Sequence, residues 1–352
     1  MAAEPTASSA AIIGGMFGLD LEGRTGSLPP LLRVPGLWLA NARGALRLLH
    51  DTLHPTAVWL PSYLCDVVAR AFPLPQVRWY DVGGELRPVD AAWVDEVQSG
   101  DLVLFIDYFG FARWEANARA VRRRGAWVVE DACQSMLNEA CSPCAQFVIC
   151  SPRKFFGVPD GGILAAMGDA PLPAAELPRV EGEWWLEAFD AIQRRTAFDQ
   201  HGGDRRWFDL FRRIEAGAPF APHRMSALSE IVLRQRTDYA ATAARRRANY
   251  ERLARTLADV ALFPGRLADG VVPIGFPVRL ENREDVRRAL FARDIFPPVH
   301  WDLHDVVPAG FEASHRLAGQ VMTLPCDQRY DEADMARVAE AFVAAGPLPA
   351  RE

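Results

Sequence analysis

Short apolar runs recur through the first half of the chain with helical segments between them. This alternation limits the fold more than any other feature of the sequence. The runs are Ala57 to Leu60, Gln76 to Tyr80, Leu102 to Tyr108, Trp127 to Glu130, Phe147 to Cys150 and Gly162 to Met167. Gly44 to Leu53 carries Ala45, Leu46, Leu48 and Leu49 at helical spacing, Cys65 to Phe72 reads as a second helix, and the Arg-rich stretch Ala116 to Arg124 as a third. Strands this short and apolar need cover on both faces, so the pattern predicts an α/β fold with a mostly parallel sheet between helices. In such sheets ligands bind beyond the carboxyl ends of the strands. Polar residues that directly follow a strand are therefore the candidates for chemistry.

The rest of the chain divides around this core. Residues 1–30 are rich in Ala, Gly, Ser and Pro and read as an N-terminal arm, residues 31–235 as a large domain, and residues 236–352 as a smaller C-terminal α/β domain. Met225 to Leu257 contains neither Pro nor Gly and reads as one long helix. A strand (Val272 to Leu280), a helix (Arg283 to Arg293), a Pro-rich crossing at Pro297 and Pro298 and a final helix (Asp331 to Ala344) follow.

Composition removes several classes of function. Lys and Arg number 39 against 45 Asp and Glu, a net charge of −6, so no basic excess points to nucleic acid or an anionic membrane. No apolar run reaches the roughly 18 residues needed to span a bilayer. Ala10 to Leu19 is apolar but lacks the positively charged start of a secretory signal. The six cysteines are spread through the chain as expected of reduced thiols in a cytoplasmic protein. Cys141 and Cys144 form a C-x-x-C with no second pair at metal spacing, so the expectation is a turn around Pro143 and no metal.

Three strand ends stand out. Val128-Val129-Glu130-Asp131-Ala132-Cys133-Gln134-Ser135 places acids and an amide after an apolar strand; Ile149-Cys150-Ser151-Pro152-Arg153-Lys154 closes another with a lysine, and Gly161-Gly162 opens the next; Asn41-Ala42-Arg43-Gly44 is a small-residue turn leading into a helix. Singly, each has a bland reading as a cap or a surface residue. Together they answer one chemical problem. A lysine amine in an apolar pocket has a lowered pKa and can form a Schiff base with an aldehyde. Pyridoxal 5′-phosphate needs that lysine, a carboxylate to keep its ring nitrogen protonated, and a cradle for its phosphate. Free N–H groups at a helix start supply such a cradle. No G-x-G-x-x-G follows an early strand, which argues against a nicotinamide cofactor.

These segments resemble the fold-type-I pyridoxal-phosphate enzymes, and in particular the DegT/StrS family of sugar aminotransferases, from about Leu37 to Val343. The E-D-A-C-Q stretch is similar to the family's E-D-A-A-Q. This implies that Asp131 partners the pyridine nitrogen, Cys133 contacts the ring face and Gln134 bonds on the ring-hydroxyl side. S-P-R-K-F-F-G-V-P-D-G-G resembles the family's lysine segment and puts the Schiff base on Lys154. N-A-R-G-A-L stands where the family has S-G-T-A-A-L, which brings Ala42 and Arg43 to the phosphate. Pro61-Ser62-Tyr63 resembles the family's P-S-F, and His223-Arg224-Met225-Ser226 the segment before its long helix.

The chain departs from the family at identifiable positions. Ile149 stands where the family commonly has Ser, leaving Ser151 for the phosphate contact; Pro222 replaces an Asn; Cys65 aligns with the ring-stacking aromatic, leaving Tyr63 as the substitute. The resemblance implies a homodimeric transaminase with its sites at the subunit interface. It would move an amino group from an amino acid, glutamate by resemblance, to a keto group on a nucleotide-linked sugar. His300, Trp301 and Arg153 are the candidate substrate contacts. The alternatives are another pyridoxal-phosphate chemistry (aldol, decarboxylating or condensing) in natural-product assembly, or a non-catalytic cofactor-binding paralogue.

Overall fold

The computed structural model describes residues 12–111, 114–180, 182–263 and 265–350. In chain order the first half comprises β1 (Ile13–Gly14), α1 (Pro30–Arg33), β2 (Gly36–Leu39), α2 (Ala42–Leu53), β3 (Val58–Pro61), α3 (Asp66–Arg70), β4 (Val77–Tyr80), β5 (Leu102–Ile106), α4 (Glu115–Arg123), β6 (Trp127–Asp131), β7 (Phe147–Cys150) and β8 (Gly162–Ala166). The second half continues with α5 (Glu183–His201), α6 (Arg206–Gly217), α7 (Ala227–Gln235), α8 (Tyr239–Thr256), β9 (Phe276–Arg279), α9 (Arg283–Phe291), β10 (Ile295–Phe296), α10 (Glu312–Gln320), β11 (Val321–Leu324) and α11 (Glu332–Ala344).

The central sheet has seven strands in the order β2-β8-β7-β6-β5-β3-β4. From β4 to β7 each neighbour runs parallel, and β5 and β7 are buried at every residue, as a doubly covered sheet requires. β8 runs antiparallel to both β7 and β2, so the sheet is mostly parallel, as expected, with its antiparallel pairs confined to β8. The cause is local. Residues 151–161 hold one short 3-10 turn at Pro152–Lys154 and no crossing helix, so the chain turns back beside β7.

The expected helix from Met225 to Leu257 is two helices. Asp238 begins α8 by accepting a hydrogen bond from Ala241 N at 2.9 Å, and the Thr237 hydroxyl donates to Val232 O at 3.0 Å. A capping side chain and a hydroxyl that satisfies a helix-end carbonyl break the run without Pro or Gly. The strand expected from Val272 to Leu280 is regular only over β9, behind Pro273 and Gly275.

A second core lies around the antiparallel pair β9 and β11, where Tyr250, Leu253, Val286, Leu290, Met335 and Phe342 pack together. Ile13 joins it, because β1 pairs with β10, so the segment read as an arm contributes a strand there. Leu303, Val307, Leu317 and Val321 return to the large core. No described helix is long and apolar enough to cross a membrane.

Candidate active site

A cavity of about 1490 Å³ opens beyond the carboxyl ends of β6 and β7, against the start of α2 and with β10 and β11 on its far side. That is the position at which open α/β sheets bind ligands.

One wall is built for an anion. Asn41 caps α2 with its Oδ1 on Gly44 N at 2.8 Å, while its Nδ2 donates to Pro219 O at 3.0 Å. The N–H groups of Ala42 and Arg43, in the first helical turn, have no acceptor within the helix, and both residues line the cavity. The Arg43 side chain is held at the end of α6, donating to Glu215 O at 2.9 Å and Ala218 O at 3.3 Å. With the guanidinium held there, Arg43 has its backbone N–H free for an anion. Ser151 lines the same cavity from the turn after β7.

The lysine comes from that turn. Lys154 N donates to Ser151 O at 3.1 Å, and the side chain stands exposed within the cavity. Burial pulls its ammonium down, but Cys133, Asp131, Cys65 and Glu215 pull it up and win, so the net shift is upward. This corrects the expectation of a lowered pKa. The pocket is not apolar enough: Asp131 and Glu215 supply negative charge around the amine. Burial and Asp131 also push the Cys133 thiol well up, so it is neutral near pH 7 and the two carboxylates carry the effect.

Opposite stand the residues that follow β6. Buried Asp131 accepts from Cys133 N at 2.9 Å and lines the cavity beside Cys133 and Gln134. Gln134 is 2 % exposed, and its Oε1 accepts from Phe109 N at 2.8 Å. Its Nε2 has no hydrogen-bond partner among the described residues. A buried amide left half-paired beside a cavity has a donor free for a ligand.

The far wall comes from the C-terminal half. His300 Nε2 is likewise buried without a partner, and the ring sits edge-on to Phe109 at 5.2 Å and to Trp301 at 5.3 Å. Burial, and then the charge of Lys154, push the imidazole down to about 3, so it is neutral at working pH. Trp301 lines the cavity as well.

The structure thus brings Ala42, Arg43, Asp131, Cys133, Gln134, Ser151, Arg153, Lys154, His300 and Trp301 to one cavity. It does not bring Tyr63 there. Tyr63 is fully buried behind the wall; its hydroxyl donates to His300 O and its ring packs against Trp301 at 5.3 Å and Tyr108 at 5.6 Å. Cys65 lines the cavity instead. Two further residues of the wall had no sequence signal. Thr323 is 3 % exposed with an unpartnered Oγ1, and its methyl is set by Gly275, whose added β-carbon would meet Thr323 Cγ2 at 2.3 Å. Glu215 lies in a helix that the sequence pattern did not reveal. Cys141 and Cys144 are free thiols, and among the described residues no cluster of His, Cys, Asp or Glu could hold a metal ion.

No protein-family model and no curated protein sequence matches the chain. Solved structures do. The aminotransferase TlmJ from Streptoalloteichus hindustanus superposes with a TM-score of 0.63 at 20% identity, over 88% of this chain and 85% of that one. A DegT DnrJ EryC1 StrS aminotransferase from Brucella abortus gives 0.58 at 18% identity, over 89% of this chain and 86% of its own. NtdA from Bacillus subtilis, solved with the bound cofactor PMP, gives 0.63 at 16% identity, over 89% of this chain and 74% of that chain. At these identities the likeness shows the fold: the chain has the architecture of these aminotransferases.

Proposed function

We propose that the chain is a pyridoxal-phosphate-dependent aminotransferase similar to the DegT/StrS enzymes. The observation that carries this reading is the meeting of Lys154, Asp131, the half-paired Gln134 amide and the start of α2 on one cavity. The residues fit the cofactor. The Ala42 and Arg43 N–H groups and Ser151 would take its phosphate, Asp131 its ring nitrogen, and Gln134 Nε2 its ring oxygen, while Lys154 would hold its aldehyde carbon. When bound, pyridoxal phosphate supplies an aldehyde carbon for exchange with amines and a ring that accepts electrons from the substrate carbon.

The chain's own groups do the rest. The Asp131 carboxylate would keep a proton on the ring nitrogen, without which the ring is a poor electron acceptor. Lys154 Nζ, once free of the cofactor, would take the proton from the substrate carbon as base and return it as acid. The net attraction of its surroundings for the ammonium favours Lys154 as the holder of that proton. Neutral His300 and the Thr323 hydroxyl offer hydrogen bonds to uncharged groups of the acceptor.

In this reading glutamate is the donor, a nucleotide-linked keto-sugar the acceptor, and the working unit a cytoplasmic homodimer. The support for these finer points is the sequence resemblance. Borohydride reduction of the yellow holoprotein followed by peptide mapping should place the label on Lys154, and L-glutamate should bleach the cofactor's visible band. A label on another residue rejects the site. A label on Lys154 with no bleaching by any amino acid rejects transamination and leaves another chemistry on the same cofactor.

A further inference from the structure

Glu215, near the end of α6, holds two arginines on the cavity wall at once. One carboxylate oxygen takes Arg153 Nη2, and the other lies 3.3 Å from Arg43 Nη2. The two arginines are not held alike. Arg43 has two backbone carbonyls besides, Glu215 O at 2.9 Å and Ala218 O at 3.3 Å, whereas Arg153 is fastened by the Glu215 carboxylate. The guanidinium groups are poorly hydrated, at 12% and 15% side-chain exposure, while Glu215 is open to the cavity at 40%. Arg153 immediately precedes Lys154 on the same short turn.

A cavity serving both halves of a transamination must take an amino acid, which carries a carboxylate, and then an acceptor that has none at the same place. A bare guanidinium there would be costly to leave unpaired beside the acceptor, and a permanent ion pair would refuse the donor. We propose that Arg153 reads a carboxylate of the amino-acid donor and that Glu215 is its resident counter-ion, displaced in one half of the cycle and restored in the other. One charge-assisted hydrogen bond replaces another of the same kind, so the exchange is close to balanced. Arg43, anchored by its two carbonyls, keeps Glu215 at hand while Arg153 is engaged. This inference rests on the aminotransferase reading. The cofactor phosphate is the other anion that Arg153 could take; the start of α2 and Ser151 already provide for it.

Glutarate, which has the two carboxylates of glutamate and no amine, is the probe. It is titrated by calorimetry into the cofactor-loaded wild type, Arg153→Gln and Glu215→Gln, with cofactor affinity measured separately for each. Arg153→Gln should weaken glutarate at least tenfold. Glu215→Gln should tighten it three- to tenfold, because an internal competitor is gone, and cofactor affinity should stay within twofold in both. A merely structural ion pair cannot produce that tightening. The proposal is overturned if Glu215→Gln weakens glutarate, if the wild type does not bind it, or if Arg153→Gln costs cofactor affinity and leaves glutarate unchanged. Glutarate binding as expected together with no bleaching by L-glutamate would reject the aminotransferase reading while upholding the carboxylate site.

Discussion

Gly162 lies against the backbone of Asn41 so closely that a β-carbon on it would stand 2.1 Å from Asn41 C and 2.3 Å from Asn41 O. This contact seats the first turn of α2 on the start of β8, and Gly161 N donating to Ala40 O at 2.6 Å fixes the same junction. The pair of glycines after the lysine turn thereby shapes the start of α2, the proposed phosphate cradle, by packing directly against its backbone. Gly162→Ala should push the α2 start outward. Overpacking of this kind costs about 1–3 kcal/mol. Thermal melts should show the loss with and without cofactor, and cofactor titration should show at least a tenfold weaker complex. Unchanged affinity would mean that the start of α2 does not bind the phosphate.

Gln134→Glu tests the contact proposed for the cofactor's ring oxygen. The substituted side chain can still accept from Phe109 N, but it replaces the unpartnered Nε2 donor with an oxygen. A buried hydrogen bond lost from a ligand is worth about 1–3 kcal/mol, or roughly ten- to a hundredfold in affinity. Cofactor titration should show a weakening in that range, with the visible band shifted by the new charge. A variant that binds as tightly as wild type would remove Gln134 from the cofactor site.

Much of this arrangement was legible in the sequence, and the failures have definite causes. β3, β5, β7 and β8 were readable because each is buried at every residue and therefore uniformly apolar. The site residues were readable because they follow strand ends directly. α5 was not, since its buried stripe of Ala188, Ala191, Ile192 and Arg195 includes an arginine, and Leu186 is exposed on the opposite side. Losing α5 and α6 concealed Glu215, and with it one of the charges that raise Lys154. Tyr63 was misplaced for a different reason. A turn residue can face the ligand or the core, and here its hydroxyl found His300 O.

Asp160 is a second anchor, beneath the lysine loop. Fully buried, it accepts from Ser226 N at 2.7 Å, Ser226 Oγ at 2.5 Å, Ser229 Oγ at 2.6 Å and Trp185 Nε1 at 3.2 Å. It ties the loop after Lys154 to the start of α7 and to α5. Asp160→Ala removes the acceptor of all four donors, of which the Ser226 hydroxyl alone has another, Ser229 Oγ at 3.1 Å; each donor left unsatisfied costs about 1–3 kcal/mol, so the variant should be among the most destabilised in the protein. Chemical denaturation should show a fall of several kcal/mol. A loss below about 1 kcal/mol would mean that water replaces the carboxylate at little cost.

Glu130 should make stability depend on pH in an unusual direction. It is 3 % exposed, next to Asp131 in β6. Burial and then Asp107 push its carboxyl up to about 8; Ser142 N, donating at 2.8 Å, opposes them, and Glu115 and Asp131 add to the rise. In the unfolded chain the same group titrates near 4.3. Between those values the folded protein keeps a proton that the unfolded chain has lost. Stability from this group is therefore full below about pH 4 and falls as pH rises towards 8, by up to about 1.4 kcal/mol per pH unit. Glu130→Gln removes the titration while keeping an oxygen for Ser142 N. The variant should melt higher than wild type at pH 8, and the two should converge near pH 4.5. Melting curves that stay parallel from pH 4.5 to 8 would show that Glu130 is ionised in the folded protein.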